Sequence, residues 1–160
     1  MGLTVPNVSL STSIIRDLWR ANLRTALTGE TPAIADPKKA IRPTGSSMVV
    51  TSLPDRSRFY PHIIVGEVSD VASRPDIRAD VWLHQYSVSL EIHAETSTHV
   101  YQIRDQLRGW IENNTATLEA AGFVDAEITS SVSMSWDASS SIKSWRIVVK
   151  GLVYTAPAEA

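Results

Sequence analysis

Residues 80–111 constrain the fold most, because a long run of period two passes through one short turn into a run with the period of a helix. Trp82, His84, Tyr86, Val88, Leu90, Ile92 and Ala94 alternate with Leu83, Gln85, Ser87, Ser89, Glu91, His93 and Glu95. That alternation predicts a strand with one dry and one wet face. From Ser97 the apolar residues Val100, Ile103, Leu107, Trp110 and Ile111 recur at three-and-four spacing, the pattern of a helix covering one apolar surface.

Elements of the same two kinds flank this unit. Ser11 or Ser13 is placed to cap an N-terminal helix with the stripe Ile14, Ile15, Leu18, Trp19, Leu23, Ala26 and Leu27; it should run to about Thr28, before Gly29. Residues 1–10 read as an arm. Residues 30–47, with Pro32, Pro37 and Pro43 among Lys38, Lys39 and Arg42, read as a long loop, uncommon inside compact domains and often functional. Segments 48–53 and 62–68, rich in Val and Ile and separated by Pro54, Asp55, Arg56 and Ser57, read as a hairpin. Residues 69–79 read as a turn region.

After the central helix, Asn113 and Asn114 suggest a break, and Gly122 ends a short helical piece over 117–121. Val124, Ala126, Ile128, Val132, Met134 and Trp136 then alternate with Asp125, Glu127, Thr129, Ser131, Ser133, Ser135 and Asp137. A turn over 138–141 leads to a final strand over 144–155, and 156–160 form a loose tail. These elements predict one domain over 1–160 of the α+β class: an antiparallel sheet of four or five strands with two main helices packed on one face.

Composition narrows the functional classes. A formal net charge of -2 and a pI of 6.1 supply no basic field for nucleic-acid phosphates. There is no cysteine, which removes disulfides, thiolate metal sites and cysteine nucleophiles together. No run approaches the ~18 apolar residues of a membrane span, and Met1 is not followed by a basic and then apolar lead, so a soluble, unexported protein is expected. The glycosylation-type triplets at Asn7 and Asn113 mean little without an export signal.

Chemical motifs are sparse. No Gly-rich phosphate loop, nucleophile elbow or paired metal-binding histidine motif is present. Glu91, His93 and Glu95 share a strand face, with His99 at the start of the next helix, and such a set could hold a divalent metal. An ordinary solvated strand face explains them more simply, and no metal, cofactor or enzymatic activity is expected. His84, on the apolar side, reads as a hydrogen-bonded, partly buried residue at the sheet margin. Asp125, Glu127 and Asp137 resemble paired carboxylates, but acid/base chemistry needs a pocket that raises one pKa, and none is visible. Glu91, Glu95, Asp125, Glu127 and Asp137 are candidates for a surface facing a channel or a neighbouring subunit. Lys38, Lys39, Arg42, Arg56, Arg58, Phe59 and Tyr60, at the long loop and the hairpin tip, are candidate interface residues of types enriched where proteins meet.

The chain resembles the tail terminator proteins of long-tailed bacteriophages, also called tail-completion or head-tail joining proteins. The resemblance is carried by the helix over 14–27, the strand entry Tyr60, Pro61, His62, Ile63, Ile64 and Val65, the strand over 82–94, and the helix with Val100, Ile103, Leu107 and Trp110. It continues through the stop Leu118, Glu119, Ala120, Ala121, Gly122 and Phe123 to the closing hairpin ending at Val153, Tyr154 and Thr155. It spans nearly the whole chain from about Ser11, through a pattern of elements more than an invariant motif. It implies a virion subunit, assembled in the host cytoplasm, that forms a ring, hexameric by the family pattern, on the head-proximal end of the tail tube. Its partners would be copies of itself, the tail tube protein, and the head-tail connector or neck proteins. Genomic DNA would pass through without specific binding, and no membrane is involved. The N-terminal lead and the Pro-rich loop depart from the compact family pattern and could meet a sheath or connector. Alternatives are another neck or head-completion subunit, a tail-tube protein, or a small nucleic-acid-binding α+β module. The last is disfavoured by the lack of an aromatic and basic sheet face.

Overall fold

In the computed structural model, which describes residues 12–52, 60–73, 82–134 and 142–155, the first apolar stripe forms helix α1 (Thr12–Ala26). Ile15, Trp19, Leu23 and Ala26 are buried along it, at the three-and-four spacing of one helix face. The helix stops short of Thr28. Leu27 and Thr28 donate to the carbonyls of Arg24 (3.2 Å) and Thr25 (3.1 Å), and Gly29 turns the chain at φ +97°, a conformation glycine adopts without steric cost.

A two-residue strand β1 (Val49–Val50) follows, then β2 (His62–Ser73), β3 (Trp82–Ala94), α2 (Ser97–Asn113), α3 (Thr115–Ala120), β4 (Val124–Ser133) and β5 (Lys143–Thr155). The strands form one sheet in the order β1-β2-β3-β5-β4. Three of its pairings are antiparallel, but β1 runs parallel to β2, with Val49 opposite Ile63 and Val50 opposite Ile64. The sheet is therefore mixed rather than purely antiparallel, and the hairpin read from 48–53 and 62–68 does not form. Met48 and Val49 are apolar because they are buried, not because they belong to a long strand. Tertiary contacts hold this short piece: Ile63 N–H donates to the Met48 carbonyl (2.8 Å), and Arg24 of α1 donates to the Val49 carbonyl through Nε (3.1 Å) and Nη2 (3.0 Å).

Strand β2 continues to Ser73, past the turn expected from Ser69. A bulge permits this: Val65 pairs with Leu90 and Val68 with Val88, so Gly66 and Glu67 together oppose one residue, and both valines turn inward. Arg16 of α1 donates from Nε to the Gly66 carbonyl at 3.2 Å. Two further bulges lie in β4, between Val124 and Glu127 and between Ile128 and Ser130. An extra residue flips the phase of a strand, so the single alternation expected over 124–137 holds only in part. Ile128 packs against the core, while Val132 lies opposite Arg146 and is 51 % exposed. Trp136 and Asp137 lie outside the described residues.

Both main helices seal the same sheet face. Trp19 and Leu23 of α1 and Ile103, Leu107, Trp110 and Ile111 of α2 join Val65, Tyr86, Val88, Leu90, Ile92, Ile147, Val149 and Val153 in one core. Each large side chain buried this way contributes about 1.5–3 kcal/mol. Thr96 starts α2 by accepting the His99 N–H through its hydroxyl (3.3 Å), a standard N-cap. Helix α3 ends in a Schellman turn: Phe123 N–H reaches the Leu118 carbonyl and Gly122 N–H the Glu119 carbonyl, both at 2.9 Å, with Gly122 at φ +103°. That turn aims Phe123 into the core, where its ring meets Trp19 edge-on at 5.4 Å. The ring lies directly over Gly151 of β5, and a Cβ there would fall inside it. Glycine at 151 is thus a space requirement of the Phe123 plug.

Candidate functional site

Three surfaces could carry function: the loop over 30–47, the outer face of the sheet, and the edge strand β4.

The loop is anchored to the domain rather than hanging free. Ile34 is fully buried and donates its N–H to the Ala26 carbonyl (3.2 Å); Ala35 N–H donates to Gln106 Oε1 of α2 (2.9 Å). Arg42 binds Asp36 through Nε and through Nη2, the latter 2.9 Å from Oδ1, and also donates to the Pro61 carbonyl at 3.0 Å. The two side chains are 5 % and 8 % exposed. Burial opposes ionisation of Asp36, but the Arg42 guanidinium and the Lys38 N–H outweigh it and hold the carboxyl below its ordinary range. Lys38 reaches Glu95 at 3.7 Å. Lys39 and Ile41 point outward, Ile41 being 66 % exposed. Of the loop's candidate interface residues, then, Lys39 presents its charge to solvent and Arg42 spends its charge internally. At the other group, Tyr60 is buried and meets the His62 ring edge-on at 5.6 Å; Arg56, Arg58 and Phe59 lie outside the described residues.

On the outer face, Gln85, Ser87, Ser89, Glu91 and His93 of β3 are half-buried, because β2 and β5 flank this central strand. Glu91 Oε1 accepts from Arg146 Nη2 at 2.8 Å, and Glu91 Oε2 lies 3.2 Å from His93 Nε2. His93 Nδ1 in turn lies 3.1 Å from the Ser144 hydroxyl. Burial pushes the Glu91 carboxyl up, but its bonds to Arg146 and His93 bring it below the ordinary value. Beside this chain an open trough of 420 Å³ runs past Gly66, Ser87, Ser89, Glu91 and Arg146. The other carboxylates singled out in the sequence are spread out. Glu95 is exposed beside Lys38, Glu127 is exposed opposite Lys150 in the β4–β5 ladder, and Asp125 is exposed at φ 54°. Asp137 lies outside the described residues. The face is mixed in charge and rich in serine, not acidic throughout. Among the described residues no group of three His, Asp or Glu side chains could hold a metal ion. Glu91 and His93 do meet, but a guanidinium occupies the carboxylate. His84 is hydrogen-bonded and partly buried as expected, near the start of the central strand β3: it is 16 % exposed, with Nδ1 3.1 Å from Asp70 Oδ1 and its ring stacked on Tyr86.

Strand β4 forms one edge of the sheet. Between it and the end of α2 runs an open groove of 540 Å³, with Ile111, Ala126 and Ile128 among its lining and Arg108 and Glu112 nearby, paired at 3.2 Å. At the opposite edge β1 covers only Ile63 and Ile64 of β2. The groups sequence reasoning missed are Asp36, Arg146 and His62. Asp36 and Arg42 are six apart within one loop, a local signal; Arg146 is 55 positions from Glu91, and only the β3–β5 register brings them together.

No protein-family model matches the chain, and no curated protein matches it. Among solved structures, a chain of the virion of a native gene transfer agent (GTA) particle is similar at 9 % identity and TM-score 0.36, over 68 % of this chain and 79 % of that one. A likeness that distant carries no argument about function. No described helix is long and apolar enough to cross a membrane.

Proposed function

We propose that this chain is a structural subunit of a phage-like virion, and specifically a tail terminator. It would form a ring, six-fold by the family pattern, that caps the tail tube, stops its growth and joins it to the head connector or neck, with DNA passing through the ring. The observation that carries the reading is the distribution of covered and uncovered surface. One face of the sheet is sealed by α1 and α2, while among the described residues no helix or strand covers the other face or most of both edges. Open strand edges are a liability that a protein manages by blunting or by burial in an assembly. Here the bulges in β2 and β4 restrict which strand can pair there, which suits a specific subunit contact over indiscriminate aggregation.

A serine-rich outer face whose described carboxylates mostly have basic neighbours neither attracts nor strongly repels phosphates, the property a DNA passage needs. The troughs on this surface are open, and the reading requires no turnover. Its mechanism is surface complementarity: one face of the ring matches the last tube ring and the other does not, so addition stops. The test is a tube-assembly reaction with the cognate tube subunit. Adding this protein should shorten the tubes in proportion to its amount and leave it at one end only. Tubes of unchanged length that carry none of it would contradict the reading, and co-polymerisation along their length would make it a tube subunit instead.

A further inference from the structure

Strand β2 opens on a buried histidine, which shares a side of the sheet with its ladder partner His93. His62 is 3 % exposed, and neither ring nitrogen has a hydrogen-bond partner among the described residues. A buried polar group left in that state costs free energy and calls for an explanation. The Met48 carbonyl lies close enough to favour a charged ring, but no hydrogen bond of proper geometry joins it to the imidazole. The groups facing the ring come from both sides. From the loop over 30–47 come Arg42, bonded to the carbonyl of the preceding residue Pro61, and Asp36. From β3 comes His93, directly opposite in the ladder, and next in the chain is the ring of Tyr60. From α1, Arg24 is committed to the Val49 carbonyl. Asp36, the one acid among them, is already taken up by Arg42 and the Lys38 N–H.

We infer that His62 is the latch of a pH-sensitive strap: protonating its ring releases residues 30–47 from the sheet and uncovers Ile34 and Met48. A cationic ring would stand beside Arg42 with no free carboxylate among the described residues to balance it, and the least costly way to hydrate it is to lift the loop that carries Arg42. The rest of the domain can stay folded, because the loop is tied down by buried Ile34, by the bonds of Ala35 to Gln106 and of Arg42 to the Pro61 carbonyl, and by the Lys38–Glu95 pair, while the α1–α2–sheet core is continuous without it apart from Ile34. Burial first, then Arg42 and His93, hold the ring below its ordinary pKa of 6.5 against the opposing pull of the Met48 carbonyl and Asp36. The open form therefore binds the proton more tightly. Closure is fully favoured above the ordinary histidine pKa and weakens as pH falls through the window beneath it.

Hydrogen exchange in the full chain, corrected for intrinsic rates, reads this directly. Between about pH 7.5 and about pH 5.5, protection of the Ile34, Ala35 and Arg42 amides should fall by up to about tenfold per pH unit below the ordinary histidine pKa, while Ile103 and Leu107 in α2 keep theirs. In His62→Phe the fall should vanish. Constant strap protection over this range, or an undiminished fall in His62→Phe, overturns the inference. Should His62→Phe not fold, the histidine ring resonances of the native protein decide. A His62 ring that takes up its proton as the strap amides lose protection supports the latch; a ring that stays neutral while they do so refutes it.

Discussion

Replacing Arg42 by alanine is expected to lower the stability of the folded chain by about 3 kcal/mol, the lower end of the range for removing one partner of a buried ion pair. The lower end applies because the pair lies shallowly, within a loop whose Pro37, Lys39, Ile41 and Pro43 are exposed. Loss of the guanidinium strands the Asp36 carboxylate at 8 % exposure and leaves the Pro61 carbonyl without its donor. Urea unfolding checks this as a shift of the midpoint at constant slope. The double variant Asp36→Asn, Arg42→Met should recover much of the loss, since removing both charges removes the desolvation penalty. The pH dependence has a definite sign. Asp36 is held below its ordinary pKa in the folded chain, so its contribution is complete above the ordinary carboxylate value and is lost as pH falls through the folded one. The gap between the native chain and Arg42→Ala should therefore narrow below about pH 4.

Trp19→Ala is expected to cost about 3–5 kcal/mol, the range for truncating a large core aromatic. Trp19 is fully buried, edge-on to Trp110 at 6.3 Å and to Phe123 at 5.4 Å, so it joins α1 to both the central helix and the Phe123 plug over Gly151. Its indole N–H has no hydrogen-bond partner among the described residues, an arrangement that costs about 1–3 kcal/mol. Trp19→Phe should consequently lose much less than Trp19→Ala, because it gives up volume but removes the orphaned donor. Denaturant midpoints of the two variants check the ranking. Equal losses would mean that a phenyl ring at position 19 restores none of the packing that alanine gives up.

Where local pattern sufficed, the sequence was legible. The β3–α2 unit, the α1 stripe, the stop at Gly122 and the final strand all show as period or as a glycine at a helix end, because each depends on residues within one or two turns of each other. The parallel pairing of β1 was not legible: two residues carry no period, and their place is set by Arg24 and Ile63 from elsewhere in the chain. Nor were the bulges, since a single inserted residue acquires meaning only against its partner strand; Val132 thereby moved from the expected dry face to the outer one. The candidate site divided in the same way. Residue types on the wet face of β3 were readable, but the Glu91–Arg146 pair that neutralises that face depends on a register between distant strands. The Pro-rich loop was found by composition, yet composition cannot distinguish a free loop from one pinned by Ile34 and by bonds to Gln106 and the Pro61 carbonyl.

The most direct measurement of the central claim is the mass and shape of the purified protein in solution and by electron microscopy. A tail terminator should give closed rings of one stoichiometry, with a lumen of roughly 20 Å or more, enough for duplex DNA, and with no growth into tubes. A monomer at every concentration, with no association on tail tubes, would contradict it.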